Sequence, residues 1–343
     1  MKKIWIAFVK QYIRIGMFFY FKRITIHDVE HVPKNKPVLV LSNHQNALLD
    51  ALLIAITCGR SSYFLTRAGV FNKPFVARIL KSLQMLPVYR VRDGWGNLAN
   101  NNNTFKACTD LLNADACIVI FPEGNHNLKR TVRPLSKGFT RIILEALGRY
   151  PDMDLQLLPV GVNYTNAEKF TDEAAIYFGR PIAAKNYMSD SKNETVVALK
   201  TKIQSEISQL TTHIPFDSYQ NSIDRLERLN ADFLNPKAVN QCIASQYQNC
   251  TFNTVKPNSR FKSLFKHLLS IVFLGPVLVW KGIVKPKIKD IEFMSTFRFA
   301  MAITLVPLWL LICFTAIVFA SGLHMAMGYL IMSIGVSLLA VKS

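Results

Sequence analysis

Short apolar runs alternate with stretches of helical periodicity from position 33 to about 213. The runs at 38–41, 63–66, 85–89, 117–121, 155–162 and 174–178 are closed by turn-forming residues and predict strands. Between them, 48–57, 73–83, 97–113 and 137–147 carry apolar residues at helical spacing. This alternation predicts a layered α/β domain around a central mixed, mostly parallel sheet. The asparagines at 100–103 read as a loop or a frayed helix start. Further on, 194–210 and 218–233 read as exposed amphipathic helices, and 240–258 as a polar linker.

The pattern changes at both ends of the chain. On a helical wheel over 1–20, Trp5, Phe8, Val9, Tyr12, Ile13, Gly16, Phe19 and Tyr20 share a broad face, opposite Lys3, Lys10 and Arg14. That is the pattern of a helix lying in a membrane interface. Lys10 and Arg14 interrupt any apolar core and no small-residue cleavage site follows, so a secretory leader is not expected. Near the other end, 299–320 holds no charge, and 323–341 holds only His324 as a group titrating near neutrality. Both stretches are long enough to cross a membrane, and Ser321-Gly322 leaves a tight turn between them, so a transmembrane hairpin is expected. Pro307 is expected to kink its first helix. The run 268–280 is shorter and broken by Gly275-Pro276, which suits a re-entrant or interfacial element.

Charge sharpens the membrane reading. The chain carries a net +19 together with a mean hydropathy of +0.19. These two values conflict in a water-soluble globule and agree at an anionic lipid surface. The excess is concentrated in 1–36 and 256–298, which flank the α/β region. Zinc-finger spacing and aromatic-rich RNA-binding signatures are missing, so nucleic acid is not an expected partner. The lysines from 281 to 289 before the first span, with Lys342 after the second, predict that both ends of the hairpin face the cytoplasm. The six cysteines show no Cys-x-x-Cys pair and no disulfide-framework spacing, and read as ordinary buried thiols in a reducing compartment. The expected layout is an interface helix and lead-in over 1–30, a main domain over 31–215, a helical segment and linker over 216–262, and a membrane region over 263–343.

Candidate chemistry lies at the strand ends, where α/β sheets form ligand crevices. The strand at 38–41 runs into Asn43-His44, with Asp50 in the helix that follows. Within one unbroken helix, residues six apart point roughly 120° from each other. His44 is therefore expected in the turn before the helix, with Asp50 reaching back to fix its tautomer and steady the imidazolium. Three more blocks follow: Phe64-Leu-Thr-Arg67 leading to Leu86-Pro-Val-Tyr-Arg90; Phe121-Pro-Glu123-Gly124-Asn125-His126 followed by Leu135-Ser-Lys137-Gly138; and Leu158-Pro-Val-Gly-Val162. No ligand spacing supports a metal at His126. The chain has no Gly-x-Ser-x-Gly elbow, so a serine nucleophile is not expected.

In this order and at these intervals, the four blocks resemble the glycerolipid acyltransferase superfamily, which includes lysophosphatidate and glycerol-3-phosphate acyltransferases. The resemblance covers 33–178. Most members have four residues between the His and the Asp, whereas five, Gln45 to Leu49, stand here. That spacing, with His-Gln-Asn before the Asp and Asn-His after Glu-Gly, is similar to the fungal type of glycerol-3-phosphate/dihydroxyacetone-phosphate acyltransferase.

The resemblance implies a layered acyltransferase domain in which His44 is general base and Asp50 its orienting partner. It implies Arg90 on the acceptor phosphate, with Arg67 and Lys137 as further phosphate candidates, and Glu123 and Gly124 shaping the acceptor pocket. Asn43 and Asn125 complete the implied binding set. The implied reaction moves an acyl group from a thioester of coenzyme A or acyl carrier protein to a phosphorylated glycerol, without a cofactor, at a phospholipid membrane. A lysolipid acceptor, or a lipid-binding protein that keeps the fold without catalysis, are the alternatives.

Overall fold

The computed structural model describes residues 2–90, 99–252 and 259–343. Its sheet is built from β1 (Arg23–His27), β2 (Val38–Ser42), β3 (Ser62–Arg67), β4 (Met85–Val88), β5 (Cys117–Ile120), β6 (Gln156–Tyr164), β7 (Glu173–Phe178) and the two-residue β8 (Ile182–Ala183). The spatial order is β1-β7-β6-β2-β5-β3-β4, with β8 beside β6. Pairing is parallel except where β6 meets β7 and β8. The predicted mixed, mostly parallel sheet is thus present.

Strand β2 shows why the molecule is layered. Val38 and Val40 point into one apolar cluster and Leu39 and Leu41 into the other, all four fully buried. A strand buried on both faces reads as a continuous apolar run, which is how this one looks in sequence. The first cluster joins the sheet to α1 (Lys2–Tyr20) and α2 (Ala47–Thr57) through Met17, Tyr20, Leu49, Leu53 and Ile54. The second joins it to α4 (Asn101–Asn113), α5 (Gly138–Arg149) and α6 (Lys192–Leu210). In α6, Leu199, Ile203 and Ile207 recur every fourth residue and are fully buried, so this helix is a packed layer with one wet face. The remaining short helix of the domain, α3 (Pro74–Ser82), lies between β3 and β4 in sequence. Gly161 of β6 lets this layer close: a Cβ there would lie 2.1 Å from the Leu210 carbonyl oxygen.

Three features depart from the sequence expectations. Arg23–His27, read as part of the lead-in to the domain, is an edge strand paired in parallel with β7. The supposed polar linker at 240–258 begins inside α8 (Pro236–Ala244), which with α7 (Tyr219–Arg228) encloses a small core of Ile214, Leu226, Phe233, Val239 and Cys242. Cys242 is bonded to Cys250, which corrects the expectation that no cysteine pairs. After α8 the chain reverses through Gln246 and Tyr247, both left-handed, and this return brings the two Cα atoms to 4.7 Å. Cys58, Cys108 and Cys117 of the main domain are free and buried.

The apolar ends assemble against the first cluster. α11 (Met294–Ser321) continues through Pro307, and Gly322 turns the chain at φ +86 into α12 (Leu323–Lys342). Both helices are long and apolar enough to cross a membrane. Before them, α9 (Ser259–Val272) and α10 (Leu274–Val279) meet at a sharp bend, and the apolar stretches 263–272 and 274–287 lie 96° apart. Helix α1 has two roles. Met17 and Tyr20 are buried, and a Cβ on Gly16 would lie 2.6 Å from Ile303 of α11. Ile4, Trp5, Phe8, Ile15 and Phe18 remain exposed. Part of the apolar face assigned to the interface is therefore used within the protein.

One buried carboxyl makes stability depend on pH. Asp172, just before β7, accepts a hydrogen bond from the Asn166 N–H at 2.8 Å, while its other oxygen has no partner among the described residues. Burial raises its pKa from 3.8 to about 6, against the opposing hydrogen bonds from Asn166 and Glu173 and the charge of Arg130. The folded state therefore holds a proton that the unfolded chain releases. The stability this contributes is complete below the unfolded value and is lost as pH rises through about 6. Asp172→Asn is expected to raise the thermal midpoint relative to the wild-type protein near about pH 8, with an advantage that shrinks toward about pH 5. Thermal melts across that range check it, and a difference independent of pH would contradict the assignment.

Candidate active site

The register of the sheet brings the blocks to one edge. Leu41 of β2 pairs with Ile120 of β5, so extending that register sets position 44 opposite position 123. There the His44 N–H donates to Glu123 Oε1 at 3.1 Å. On the other side β6 runs parallel to β2, and the Asn43 amide bridges to it. Asn43 Oδ1 accepts from the Val162 N–H at 2.8 Å, and its Nδ2 donates to the Val162 carbonyl at 2.9 Å. Asn43 therefore spends its side chain holding the strand ends together. The same edge carries Arg67 at the end of β3, paired with Val88 of β4, and Arg90 just beyond β4.

His44 and Asp50 meet as the spacing predicts. His44 Nδ1 lies 2.8 Å from Asp50 Oδ2. The extra residue between them is absorbed at Ala47, which opens α2 with a left-handed φ of +42 and sets Asp50 in the first helical turn. Left-handed backbone is unfavourable for alanine, so surrounding contacts must hold it in place. Asp50 is fully buried and fully engaged. Its Oδ2 also accepts from the Asn46 N–H at 2.8 Å, and its Oδ1 accepts from the Tyr164 hydroxyl at 2.7 Å. A carboxylate with these partners can only accept from the imidazole. The proton is thereby fixed on Nδ1 and Nε2 is left with its lone pair.

The ring of His44 stacks on Phe121, with centroids 4.1 Å apart, and meets the edge of His126 at 5.6 Å. Burial lowers the proton affinity of His126, and the nearby charges of His44 and Arg90 lower it further, against Glu292 and Asp50. The electrostatic reach of Arg90 thus extends to His126. Nδ1 of His126 is buried and has no hydrogen-bond partner among the described residues. Among those residues, no cluster of three or more His, Cys, Asp or Glu side chains is placed to hold a metal ion.

Glu123 rests on an ion pair that the motif does not reveal. Arg133 Nε lies 2.5 Å from Glu123 Oε2, and the same guanidinium bonds to the side-chain and backbone oxygens of Asn125. Burial pushes the Glu123 carboxyl up, while Arg133 and the His44 N–H pull it down. Gly124 sits at φ +78, and the space a Cβ would enter is open, so the turn itself calls for glycine. Lys137 is exposed at the start of α5, and no hydrogen bond or ion pair joins it to the His44 group among the described residues. Tyr89, next to Arg90, is clamped by Asn101, which accepts from its N–H at 2.9 Å and donates to its carbonyl at 2.8 Å. This gives a structural role to the asparagine run. Asp93, near enough in sequence to pair with Arg90, lies outside the described residues.

Residues 23–163 match the family model described as Acyltransferase. Glycerol-3-phosphate O-acyltransferase 2 of Saccharomyces cerevisiae is 30% identical over 120 residues, covering 34% of this chain and 16% of that protein. Glycerol-3-phosphate O-acyltransferase 1 of the same yeast is 30% identical over 101 residues, covering 28% of this chain and 13% of its own length. The chain thus matches only a small part of either yeast protein. The crystal structure of the 1-acyl-sn-glycerophosphate (LPA) acyltransferase PlsC from Thermotoga maritima is similar with a TM-score of 0.43 and 17% identity, over 60% of this chain and 80% of that one. Residues 23–163 thus match an acyltransferase domain, and the chain is similar over part of its length to two yeast glycerol-3-phosphate O-acyltransferases.

Proposed function

We propose that the protein is a membrane-bound O-acyltransferase that esterifies a hydroxyl of glycerol-3-phosphate, or of dihydroxyacetone phosphate, from an acyl thioester. The observation that carries this reading is the His44–Asp50 pair, tautomer fixed, at the strand edge shared with Glu123 and Arg90. Nε2 of His44 removes the proton of the acceptor hydroxyl as its oxygen attacks the thioester carbonyl. Collapse of the tetrahedral intermediate breaks the carbon–sulfur bond, and the imidazolium returns the proton to the leaving thiolate. Asp50 holds the ring through both charge states. Glu123 and Arg133 fix the backbone at His44 and the turn over 123–126, which forms one side of the acceptor position.

The phosphate falls to Arg90, whose planar guanidinium can grip two phosphate oxygens at once. Arg67, on the neighbouring strand, is the second cation of that edge. Support for the phosphorylated glycerol acceptor comes from the two yeast relatives and from the His-to-Asp spacing. The apolar hairpin and the exposed apolar face of α1 suit a lipid product that leaves into a membrane. The lysines over 281–289 argue for the domain lying on the cytoplasmic side.

Arg90→Ala is expected to raise the KM for the phosphorylated acceptor by about tenfold or more, the loss of a charge-assisted pair, with a smaller change for the donor. An effect confined to the donor KM would exclude Arg90 from the phosphate. The whole reading is tested with the purified full chain in detergent, one labelled acyl thioester of coenzyme A or acyl carrier protein, and a panel of acceptors. Preference for lysophosphatidate over glycerol-3-phosphate would replace the proposed acceptor. Absence of thiol release with every acceptor would leave a lipid-binding protein.

A further inference from the structure

The start of α11 is sewn to the edge of the domain that carries His44. Ser295 Oγ donates to the Ala167 carbonyl at 2.6 Å, Arg298 donates to the Glu168 carbonyl at 2.9 Å, and the Leu48 N–H donates to Thr296 Oγ1 at 3.3 Å. Leu48 lies in the first turn of α2, two residues before Asp50. These bonds hold the short helical turn Ile291–Phe293 and the first turn of α11 against the site. Phe293 consequently packs edge-on against His126, with centroids 4.5 Å apart, and His126 in turn meets His44. One turn along α11, Phe297 lies 6.2 Å from Phe293 and is 45% exposed. Leu48 beside them is 38% exposed. An apolar path therefore leads from the imidazole pair, over Phe293 and Phe297, to a helix whose most apolar stretch holds no fully buried residue among the described residues.

From this we infer that the membrane hairpin is part of the substrate site: Phe293 and Phe297 form the wall along which the acyl chain of the donor lies when its carbonyl is at His44. The inference rests on the acyl-transfer reading and deepens it. Glycerol-3-phosphate has no acyl chain, so with that acceptor the chain needing an apolar path from His44 is the donor's. A long chain on this wall exchanges water for aromatic and lipid contacts, at about 0.8 kcal/mol for each methylene buried. The stretch matched by the family model ends at residue 163, well before either phenylalanine, so this wall is supplied by a different part of the chain.

The experiment compares the full chain with a Phe293→Ala/Phe297→Ala double variant, using butanoyl, octanoyl and hexadecanoyl thioesters of coenzyme A with glycerol-3-phosphate as acceptor. The hexadecanoyl-to-butanoyl ratio of kcat/KM is expected to fall about tenfold, equivalent to losing contact with two or so methylenes. A ratio that does not move, or a change confined to the acceptor KM, overturns the inference while acyl transfer itself stands. A wild-type chain that transfers no acyl group from any thioester overturns the underlying reading as well. Should the double variant not fold, Phe297→Trp, which narrows the path, is expected to lower the same ratio.

A second measurement is independent of turnover. A hexadecanoyl thioester bearing a diazirine in its chain, irradiated with the His44→Ala protein, is expected to label the tryptic peptide 290–298. Labelling elsewhere, with that peptide unmarked, overturns the inference. Labelling of 290–298 by a diazirine lysophosphatidate but not by the thioester would assign the wall to a lysolipid acceptor instead.

Discussion

Replacement of His44 by alanine is expected to lower turnover by about 10²- to 10⁴-fold, the range that a positioned general base contributes. The ring is only 14% exposed, but most of what holds this corner does not involve it. The His44 N–H still donates to Glu123, its carbonyl still accepts from the Asn127 N–H at 3.1 Å, and Asn43 still bridges to β6. The variant should therefore fold, with a thermal midpoint near that of the wild-type protein in detergent. The KM values for donor and acceptor should move far less than kcat, because the imidazole acts mainly in the transition state. A folded alanine variant with ordinary turnover would remove His44 from the chemistry.

The second large effect is expected at Asp50→Asn, which keeps the volume and removes the charge. Asp50 accepts three hydrogen bonds: from His44, from the Asn46 N–H and from the Tyr164 hydroxyl. The single oxygen of an asparagine cannot serve donors on both sides. If it turns to Tyr164, its NH₂ faces Nδ1 and forces the proton of the neutral ring onto Nε2, where it blocks the base. A loss of about 10²- to 10⁴-fold in kcat is expected, with donor and acceptor KM close to wild-type values. Tyr164→Phe is the informative companion. It leaves Asp50 its bonds to His44 and Asn46, so its loss should be smaller. Equal losses in the two variants would mean that the carboxylate acts through the packing of β6 and not through the imidazole.

The sequence was most readable where the chain repeats a physical rule. The strands of the layered domain appear as apolar runs because both faces of the sheet are covered, and helix geometry sets His44 in the turn ahead of Asp50, while the four-block resemblance supplies their roles. Arg23–His27 escaped because a five-residue edge strand after a long apolar helix has too little pattern of its own. Tyr164 and Arg133 escaped for a different reason. Tyr164 reaches Asp50 from a neighbouring strand 114 positions away, and Arg133 reaches Glu123 from an irregular loop. No periodicity marks either. A buried glutamate calls for a cation, but nothing in the pattern singles out Arg133 among the nearby lysines and arginines. The contact of Phe293, just before α11, with His126 was hidden for the same reason, since a run of apolar residues gives its length but not what it rests against.

The junction between α1 and the hairpin bears on how the molecule comes together during synthesis. Lys342 donates to the carbonyls of Phe21 and Lys22, residues made more than three hundred positions earlier, and its ammonium lies 4.1 Å over the ring of Phe18. The Tyr20 hydroxyl likewise donates to the Ser295 carbonyl of α11, and Gly16 faces Ile303 of the same helix. While the ribosome is still building the sheet, the first helix has an oily flank with nothing to cover it. The nascent chain must therefore shelter that flank in a bilayer or against a chaperone until α11 and α12 emerge, and a translation arrest before α11 should leave a species prone to aggregate.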